Sequence, residues 1–330
     1  MEEPENSAPT NSEATPETEA ELHDPEEAEE ADDRTLDPYD VLKSGDEETP
    51  AKTASEHARR AEVYMKQGHI SESLAGYRDA LRAAESEGDS QTYRVALGDA
   101  YAYSGQGLNA FRQYRRAIKV APRKAEPHFS LAELYQRYGR LQAAIAEYRK
   151  AILYAPQNAY YRYKLGDALA LSGDLEGAVS ELEETTHLKP QDGFYHFWLG
   201  DLYARANRFD EAVREMQQAT LFSPYDAYYN VRLAALYRRT NQTEDAATAL
   251  KQALRIAPDN GAYHCLLADI YSDMDRDAHA VYHYQMAGNL DDYDLETLRR
   301  LRRLSGRDEE AELLALEALG DDDLPPISEA

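Results

Sequence analysis

Cysteine is almost absent from this sequence: Cys265 is the only one in 330 residues. An internal disulfide therefore cannot form, and a zinc site built on several thiolates is excluded. The sequence also lacks any apolar run close to the roughly 20 residues that a membrane-spanning helix needs. Its first ten residues have neither the basic start nor the apolar core of a secretory signal. We therefore expect a protein of a reducing compartment, cytoplasmic in location, with no membrane span.

Basic residues are scarce as well, with 36 Lys and Arg against 62 Asp and Glu and a formal net charge of −26. A duplex-binding surface needs clustered cations, so we expect no nucleic-acid partner. The net negative charge lies mainly at the two ends. Residues 1–50 carry a net charge of −17 and residues 321–330 carry −4, which leaves only −5 for residues 51–320.

The first fifty residues are rich in Glu, Pro, Ser, Thr and Ala, a composition too polar to build a core. We expect a disordered acidic tail over residues 1–50 and a second acidic tail over residues 320–330. The first tail either regulates access to a partner or only keeps the chain soluble. Its apolar segment LDPYDVL at 36–42 is either a docking segment or an isolated hydrophobic cluster.

No catalytic signature is found in the sequence, which has no GxxxxGK phosphate loop, no GxSxG nucleophile turn and no HExxH pair. His279 and His283 have the spacing of one helical face, but no third metal ligand accompanies them. The alternate aspartates from Asp273 to Asp277 imitate a calcium loop without its glycine and its closing glutamate. We expect a protein that is not an enzyme and that needs no cofactor and no metal ion.

What the sequence does contain is a repeat of 34 residues. Proline returns at this interval at Pro122, Pro156, Pro190, Pro224 and Pro258. Self-similarity at a fixed period is typical of a repeat architecture. The predicted repeats are 54–87, 91–124, 125–158, 159–192, 193–226, 227–260 and 261–294, with an insertion at 88–90.

Residue size at fixed positions of each repeat predicts two packed helices. Positions 8 and 20 are small, as Ala132 and Ala144 show, and positions 11 and 24 are mostly large, as Tyr135 and Tyr148 show. Small residues let helix backbones approach each other, while large residues fill the space opposite. Position 15 holds residue types that tolerate a left-handed backbone: Gly68, Gly105, Gly139, Gly173, Asn207, Asn241 and Asp275. Each repeat is therefore predicted to be helix, tight turn, helix.

This pattern resembles the tetratricopeptide repeat, whose signature residues are matched in repeat 193–226 by Leu199, Gly200, Tyr203, Ala212, Ala219 and Pro224. The resemblance implies an all-α, right-handed superhelical solenoid of about seven repeats over residues 54–294. A leucine-rich segment at 295–319 is expected to form a C-terminal pair of capping helices. The chain departs from the family at position 4, where polar residues replace the usual aromatic residue. These are His57, Arg94, His128, Arg162, His196, Asn230 and His264, and we interpret the histidines as packing or surface residues.

The resemblance also implies a binding surface, because the first helix of each pair lines a concave groove in this family. Aromatic and charged residues collect at the groove positions of repeats four to six: Tyr160, Tyr163, Asp167, Phe194, Phe197, Asp201, Tyr228 and Arg232. Exposed aromatic side chains are typical binding anchors. Packing between repeats is the alternative interpretation, and it is the one we favour for Trp198.

Position 9 is acidic in six of the seven repeats, at Glu62, Asp99, Glu133, Asp167, Asp201 and Asp269. Such a series of carboxylates favours cationic ligands. The alternative is pairing within each helix, because Glu62, Glu133 and Asp201 each precede a Lys or Arg by four residues.

The sequence therefore predicts a non-catalytic adaptor or assembly scaffold that binds a partner protein or peptide carrying basic and apolar residues. Two other function classes stay open. One is an accessory docking subunit of an enzyme complex. The other is an RNA-binding helical-repeat protein, which the acidic balance argues against. The sequence does not specify the oligomeric state.

Overall fold

A computed structural model describes residues 53–84 and 86–290 of the chain. These residues form α-helices and the turns and caps between them, and no strand occurs among them. The chain divides into two compact units, one ending at Tyr138 and the other beginning at Gly139. The predicted tails at 1–50 and 320–330, the segment 36–42 and the capping helices at 295–319 lie outside the described residues.

The first unit has five helices among its described residues. They are α1 (Ala54–Lys66), α2 (Ile70–Arg82), α3 (Glu87–Tyr103), α4 (Gly107–Val120) and α5 (Ala125–Arg137). Helix α1 pairs with α2 and α3 pairs with α4, while α5 packs against both α3 and α4. The buried residues of these helices, among them Leu97, Phe111 and Tyr114, form one hydrophobic core.

The predicted insertion at 88–90 does not form a loop between two repeats. It lies inside α3, which begins at Glu87 rather than at the expected residue 91. The reason is a helix cap: the backbone N–H of Asp89 donates to the hydroxyl of Ser86 at 3.0 Å, which satisfies an amide in the first turn. The inserted residues therefore lengthen the first helix of this repeat by one turn.

The second unit has nine helices among residues 139–290. They are α6 (Leu141–Tyr154), α7 (Ala159–Leu171), α8 (Leu175–Leu188), α9 (Gly193–Arg205), α10 (Phe209–Phe222), α11 (Ala227–Arg239), α12 (Thr243–Ile256), α13 (Gly261–Asp273) and α14 (Asp277–Leu290). Four helix pairs, α7 with α8 through α13 with α14, follow one another, and the second helix of each pair packs on the first helix of the next. Successive repeats of this unit thus share one continuous series of interfaces.

The predicted turn position is confirmed. All seven residues at position 15 have a positive φ, between 54° and 92°, and the non-glycine members of the set are Asn207, Asn241 and Asp275. A left-handed residue ends the first helix and reverses the chain within a few residues, and Asn and Asp tolerate that conformation better than most side chains do.

The predicted packing of small against large residues is also confirmed. The position-20 alanines, such as Ala110 and Ala212, have no exposed surface. A Cβ atom added to Gly98 at position 8 would lie 2.5 Å from the ring of Tyr114, which occupies position 24 of the same repeat. The position is small because the facing aromatic ring fills the space between the two helices.

The joins between repeats of the second unit contain a feature that the period alone does not explain. Two residues after each proline stands an Asn or Asp whose side chain accepts a backbone N–H in the first turn of the next helix: Asn158, Asp192, Asp226 and Asn260. Proline ends one helix and the Asn or Asp begins the next, which fixes the direction in which α7, α9, α11 and α13 leave the turn.

Candidate protein-binding site

Aromatic side chains collect on the first helices of three successive repeats in the second unit. Tyr160, Phe194 and Tyr228 are each the second residue of their helix, α7, α9 and α11, and their side chains are 46%, 40% and 48% exposed. Together with the half-buried Tyr163 and Trp198, we call these residues the aromatic surface. The exposure of the position-2 residues fits the role expected of them, and that role stays a prediction.

Ring contacts connect the part of the aromatic surface that α7 and α9 contribute. The ring of Tyr163 lies 5.1 Å from that of Phe194 in an edge-to-face arrangement, and 5.8 Å from the ring of Trp198, measured between centroids. The ring of Tyr160 lies 6.0 Å from that of Tyr163. Such contacts hold each ring in place, so the surface is ordered before any ligand arrives.

Phe197 is more deeply buried than we expect of a residue that contacts a ligand. Its side chain is only 7% exposed, and its ring stacks on that of Tyr229 at 4.7 Å and lies 5.7 Å from that of Tyr228. Phe197 therefore supports Tyr228 from the protein interior, and it offers little area to a partner. Tyr229 comes from the following repeat, 32 residues later in the sequence, so the sequence pattern of one repeat could not reveal this stacking.

Two charged residues of the predicted site partly neutralise each other's charge. Arg232 on α11 forms an ion pair with Asp201 on α9, and its guanidinium also lies 5.9 Å from the ring centre of Tyr228. The pair reduces the attraction that Asp201 can offer a basic ligand. Asp167, the other predicted carboxylate, is half-buried on α7. The accessible chemistry of this face is therefore mainly aromatic.

The predicted pairing of acids with bases four residues later is confirmed at Glu62, whose carboxylate lies 2.7 Å from the ammonium of Lys66. Two other bases of that pattern donate to backbone carbonyls. Arg137 donates to the backbone carbonyl of Ala102 at 2.7 Å, and Arg205 donates to that of Ala170 at 3.4 Å. Both arginines thus satisfy carbonyl groups near the end of the preceding repeat's first helix.

Three of the polar residues at position 4 pair with the residue at position 23 of the same repeat, a relation that the sequence pattern did not reveal. Three such pairs in the second unit, which we call the interhelix polar pairs, are Arg162–Glu181, His196–Glu215 and His264–His283, with nitrogen to oxygen or nitrogen to nitrogen distances of 2.9, 2.7 and 2.9 Å. The available signal was the polar residue at position 23 in three of the repeats, Glu181, Glu215 and His283, while Ala249 holds that position in the repeat before His283.

The position-4 histidines of these pairs also have a second partner. The Nε2 atoms of His196 and His264 lie 3.0 and 3.1 Å from the carbonyl oxygens of Pro190 and Pro258. A carbonyl only accepts, so each Nε2 carries a proton and donates it. These histidines are buried, which agrees with their interpretation as packing residues, and they connect each repeat to the proline of the one before it.

The two histidine pairs have opposite electrostatics. Burial lowers the pKa of His196, but the hydrogen bond and charge of Glu215 and the Pro190 carbonyl outweigh burial, so that its pKa is raised above the ordinary value. Burial lowers the pKa of His264. Burial and the charges of His264, His279 and Lys251 lower the pKa of His283 to about 3.

Residues 90–302 match the family model described as the cilia and flagella-associated protein 70 C-terminal domain. This match covers more than half of the chain. The chain belongs to this family. Its described residues have the tetratricopeptide-repeat fold, as the resemblance implied. Among curated proteins, no sequence matches the chain significantly.

Solved structures show the same fold at low sequence identity. One, from a functional characterization of Pseudomonas aeruginosa pilF, is 19% identical with a TM-score of 0.52 and covers 66% of this chain and 99% of its own. A tetratricopeptide repeat protein from Parabacteroides merdae is 15% identical with a TM-score of 0.51 and covers 76% and 98%. YrrB, described as a tetratricopeptide protein with an unusual peptide-binding site, is 16% identical with a TM-score of 0.50 and covers 57% and 97%.

This family membership and fold are consistent with a protein–protein interaction scaffold. Over residues 53–84 and 86–290, the protein holds no grouping of three or more His, Cys, Asp or Glu side chains suited to a metal ion. Over the same residues, none of the helices combines the length and the apolar character required to span a bilayer.

Proposed function

We propose that the protein is a non-catalytic adaptor that holds an extended or helical segment of a partner protein against the aromatic surface. The observation that carries this proposal is the repetition of an exposed aromatic residue at the same place on the first helices of three successive repeats, α7, α9 and α11. Large rigid side chains bury much area at a small cost in conformational entropy. Contiguous exposed apolar patches are uncommon on proteins without a binding partner.

The chemistry of this face favours a ligand whose apolar side chains make the main contacts. The exposed rings of Tyr160, Phe194 and Tyr228 would meet those side chains, and Asp167 would meet a basic residue of the same segment. Asp201 contributes less to a basic ligand, since Arg232 already compensates its charge. The description of YrrB as a peptide-binding protein of the same fold supports a peptide as the class of ligand.

A triple substitution tests the site. We expect Tyr160→Ala, Phe194→Ala and Tyr228→Ala together to weaken partner binding at least tenfold, because each removes an exposed ring from the proposed contact. The matched control is Tyr225→Ala, which removes a tyrosine that is 89% exposed in the turn between α10 and α11. Quantitative mass spectrometry after affinity purification identifies the partner, and calorimetry with that partner then compares the variants.

The fold of each variant is checked by circular dichroism, since the substituted rings are exposed and their removal should leave the helices intact. Equal recovery of the same partners by the triple variant and the unaltered protein would refute the site. A loss of binding in the Tyr225→Ala control alone would move the contact from the aromatic surface to the turns.

An accessory docking subunit of an enzyme complex is the second candidate, favoured by the same accessible aromatic face. In that case the purified partner is an enzyme, and the triple variant lowers its activity on a docked substrate without changing its activity on a small one. We also propose that the protein binds no nucleic acid, and a filter-binding assay with RNA would test this. We further propose that it is cytoplasmic, and cell fractionation would test that location.

The domain limits deduced from the period are likewise proposals. A fragment of residues 54–319, which keeps the repeats and the predicted capping helices, is expected to keep the helical signal of the whole chain. We propose that the acidic tail at 1–50 modulates binding, so that its deletion changes partner affinity at low salt and has less effect at high salt. An unchanged affinity at low salt would leave solubility as its role.

A further inference from the structure

The first unit contains a cavity of about 410 Å³ bordered by its three first helices, α1, α3 and α5. Met65 of α1 and Leu134 of α5 give it apolar walls, and Phe129 and the 69% exposed Tyr103 add aromatic ones. Two carboxylates, those of Asp99 and Glu133, lie among these groups. All of these residues precede Tyr138, so the cavity is a different site from the aromatic surface.

Asp99 is held in place by neutral hydrogen-bond donors. The hydroxyl of the buried Tyr114 donates to its Oδ1 atom at 2.7 Å, and the side chain of Ser130 forms a second hydrogen bond to the carboxyl group. Solvent reaches the Asp99 side chain, yet protein atoms surround it on several sides and restrict its hydration. Burial and the charge of Glu126 raise its pKa to about 6, although the two hydrogen bonds act in the opposite direction.

The balance of charge around the cavity is negative. Glu133 lines it together with Asp99, and the charge of Glu126 acts on Asp99 from nearby. Arg137 is the cation among the lining residues, and its guanidinium donates to the carbonyl of Ala102. A carboxylate whose hydrogen-bond donors are neutral gains more from an incoming cation than one already paired with a cation does.

We propose that this cavity binds the side chain of a lysine from a partner protein, with the ammonium group at Asp99 and the methylene groups between the apolar and aromatic walls. Tyr114 already occupies Oδ1, so the paired geometry that a guanidinium prefers would require the phenol to leave. An ammonium group needs only one carboxylate oxygen. The rings of Tyr103 and Phe129 provide faces that attract a cation.

The test uses the full chain and N-acetyl-lysine N-methylamide as the probe, titrated by NMR chemical shifts. The norleucine counterpart has the same stem without the ammonium group, and the arginine counterpart replaces it with a guanidinium. We expect the lysine probe to bind at least tenfold more tightly than the norleucine probe and more tightly than the arginine probe. Its affinity should fall as the pH is lowered from 7.5 to 5, because Asp99 becomes protonated.

Asp99→Asn keeps an oxygen for the Tyr114 hydrogen bond and removes the charge, and we expect it to weaken the lysine probe at least tenfold. The matched control is Asp269→Asn, at the same repeat position and with the same kind of tyrosine hydrogen bond, from Tyr284. This control should bind the probe as the unaltered protein does. Equal affinity of the Asp99→Asn variant, or equal binding of norleucine, overturns the proposal, and tighter binding of arginine overturns the assignment to lysine.

A measurement on the unaltered protein covers the case in which the Asn variant does not fold. Carbon-13 NMR of the aspartate carboxyl groups follows the pKa of Asp99 with and without the saturating probe. A bound ammonium stabilises the ionised carboxylate, so saturation should lower this pKa below about 6. An unchanged pKa at saturation overturns the proposal.

Discussion

Acidification is expected to destabilise the helix pair α13–α14 through His264 and His283. Both imidazoles are buried, at 1% and 4% exposure. Nε2 of His264 donates to the carbonyl of Pro258, so its Nδ1 accepts, and Nδ1 of His283 donates to it across 2.9 Å. This arrangement requires the His264 ring to be neutral, and burial favours the neutral form of His283. A proton added to Nδ1 of His264 would turn two N–H groups towards each other.

The size of the effect follows from the pKa of His283, which the folded protein lowers from an ordinary value of 6.5 to about 3. Burial is the main cause, and the charges of His264, His279 and Lys251 add to it, while Asp259 acts on His264 in the opposite direction. The unfolded chain binds the proton more readily than the folded protein does. The contribution of the neutral His283 to the free energy of unfolding is therefore complete above pH 6.5 and is lost as the pH falls towards 3. At pH 5.5 the expected loss is about 1 kcal/mol.

His283→Glu should invert this behaviour, because it copies the His196–Glu215 pair of the repeat two places earlier. A glutamate at position 23 would accept the Nδ1 proton of His264 and raise its pKa, as Glu215 does for His196. The protonated pair would then stabilise the fold below pH 6.5 and lose that contribution as the pH rises. The control is His187→Gln, on the exposed face of α8.

Urea unfolding followed by circular dichroism at pH 7.5 and 5.5 measures the difference between variants, and hydrogen exchange resolves α13 and α14 from the other helices. The unaltered protein and the His187 control should lose protection in α13 and α14 at pH 5.5, and His283→Glu should not. If all three lose the same protection, the imidazole pair does not determine the acid response, and the reasoning from its geometry fails.

Three further outcomes are expected. Gly98→Ala should cost about 1–3 kcal/mol in urea unfolding, because its methyl group overlaps the ring packed on it, whereas Gly88→Ala, exposed near the start of the same helix, should change stability by less than about 1 kcal/mol. Asp275→Gly should raise the melting temperature, because Asp275 has a positive φ and glycine avoids the cost of about 1 kcal/mol that a side chain adds in this conformation. Glu215→Gln should cost about 1.5–3 kcal/mol at pH 6 and less at pH 8.5, because the raised pKa of His196 keeps the charged pair at low pH.

The sequence predicted the helix pairs and their turns because those features depend on residues close together in one repeat. The residue type at three positions follows from the geometry of a single repeat. Position 8 must be small and position 24 large for the two helices to pack, and position 15 must tolerate a left-handed backbone. No such local requirement marks Asp201, whose partner Arg232 lies 31 residues away in the next repeat. The charge available to a ligand therefore depended on a contact between repeats that the period could not show.

The start of α3 and the burial of Phe197 illustrate the same limit in two ways. A three-residue insertion is equally compatible with a loop and with a longer helix, and the cap at Ser86 decides between them. An aromatic residue at position 5 can face a ligand, as the half-buried Tyr163 remains able to do, or pack against the next helix. Phe197 packs because Tyr229 presents a parallel ring to it.

The joins between repeats have a practical consequence for dividing this protein. The proline that accepts from the next repeat's histidine and the Asn or Asp that caps the next helix both belong, by sequence period, to the repeat before. A fragment cut at Ala159 or Gly193 would therefore begin with an uncapped helix. The cut at Gly193 would also deprive His196 of its acceptor, the carbonyl of Pro190. Modules exchanged between such proteins should run from one proline to the next, so that every transplanted helix brings its own start signal.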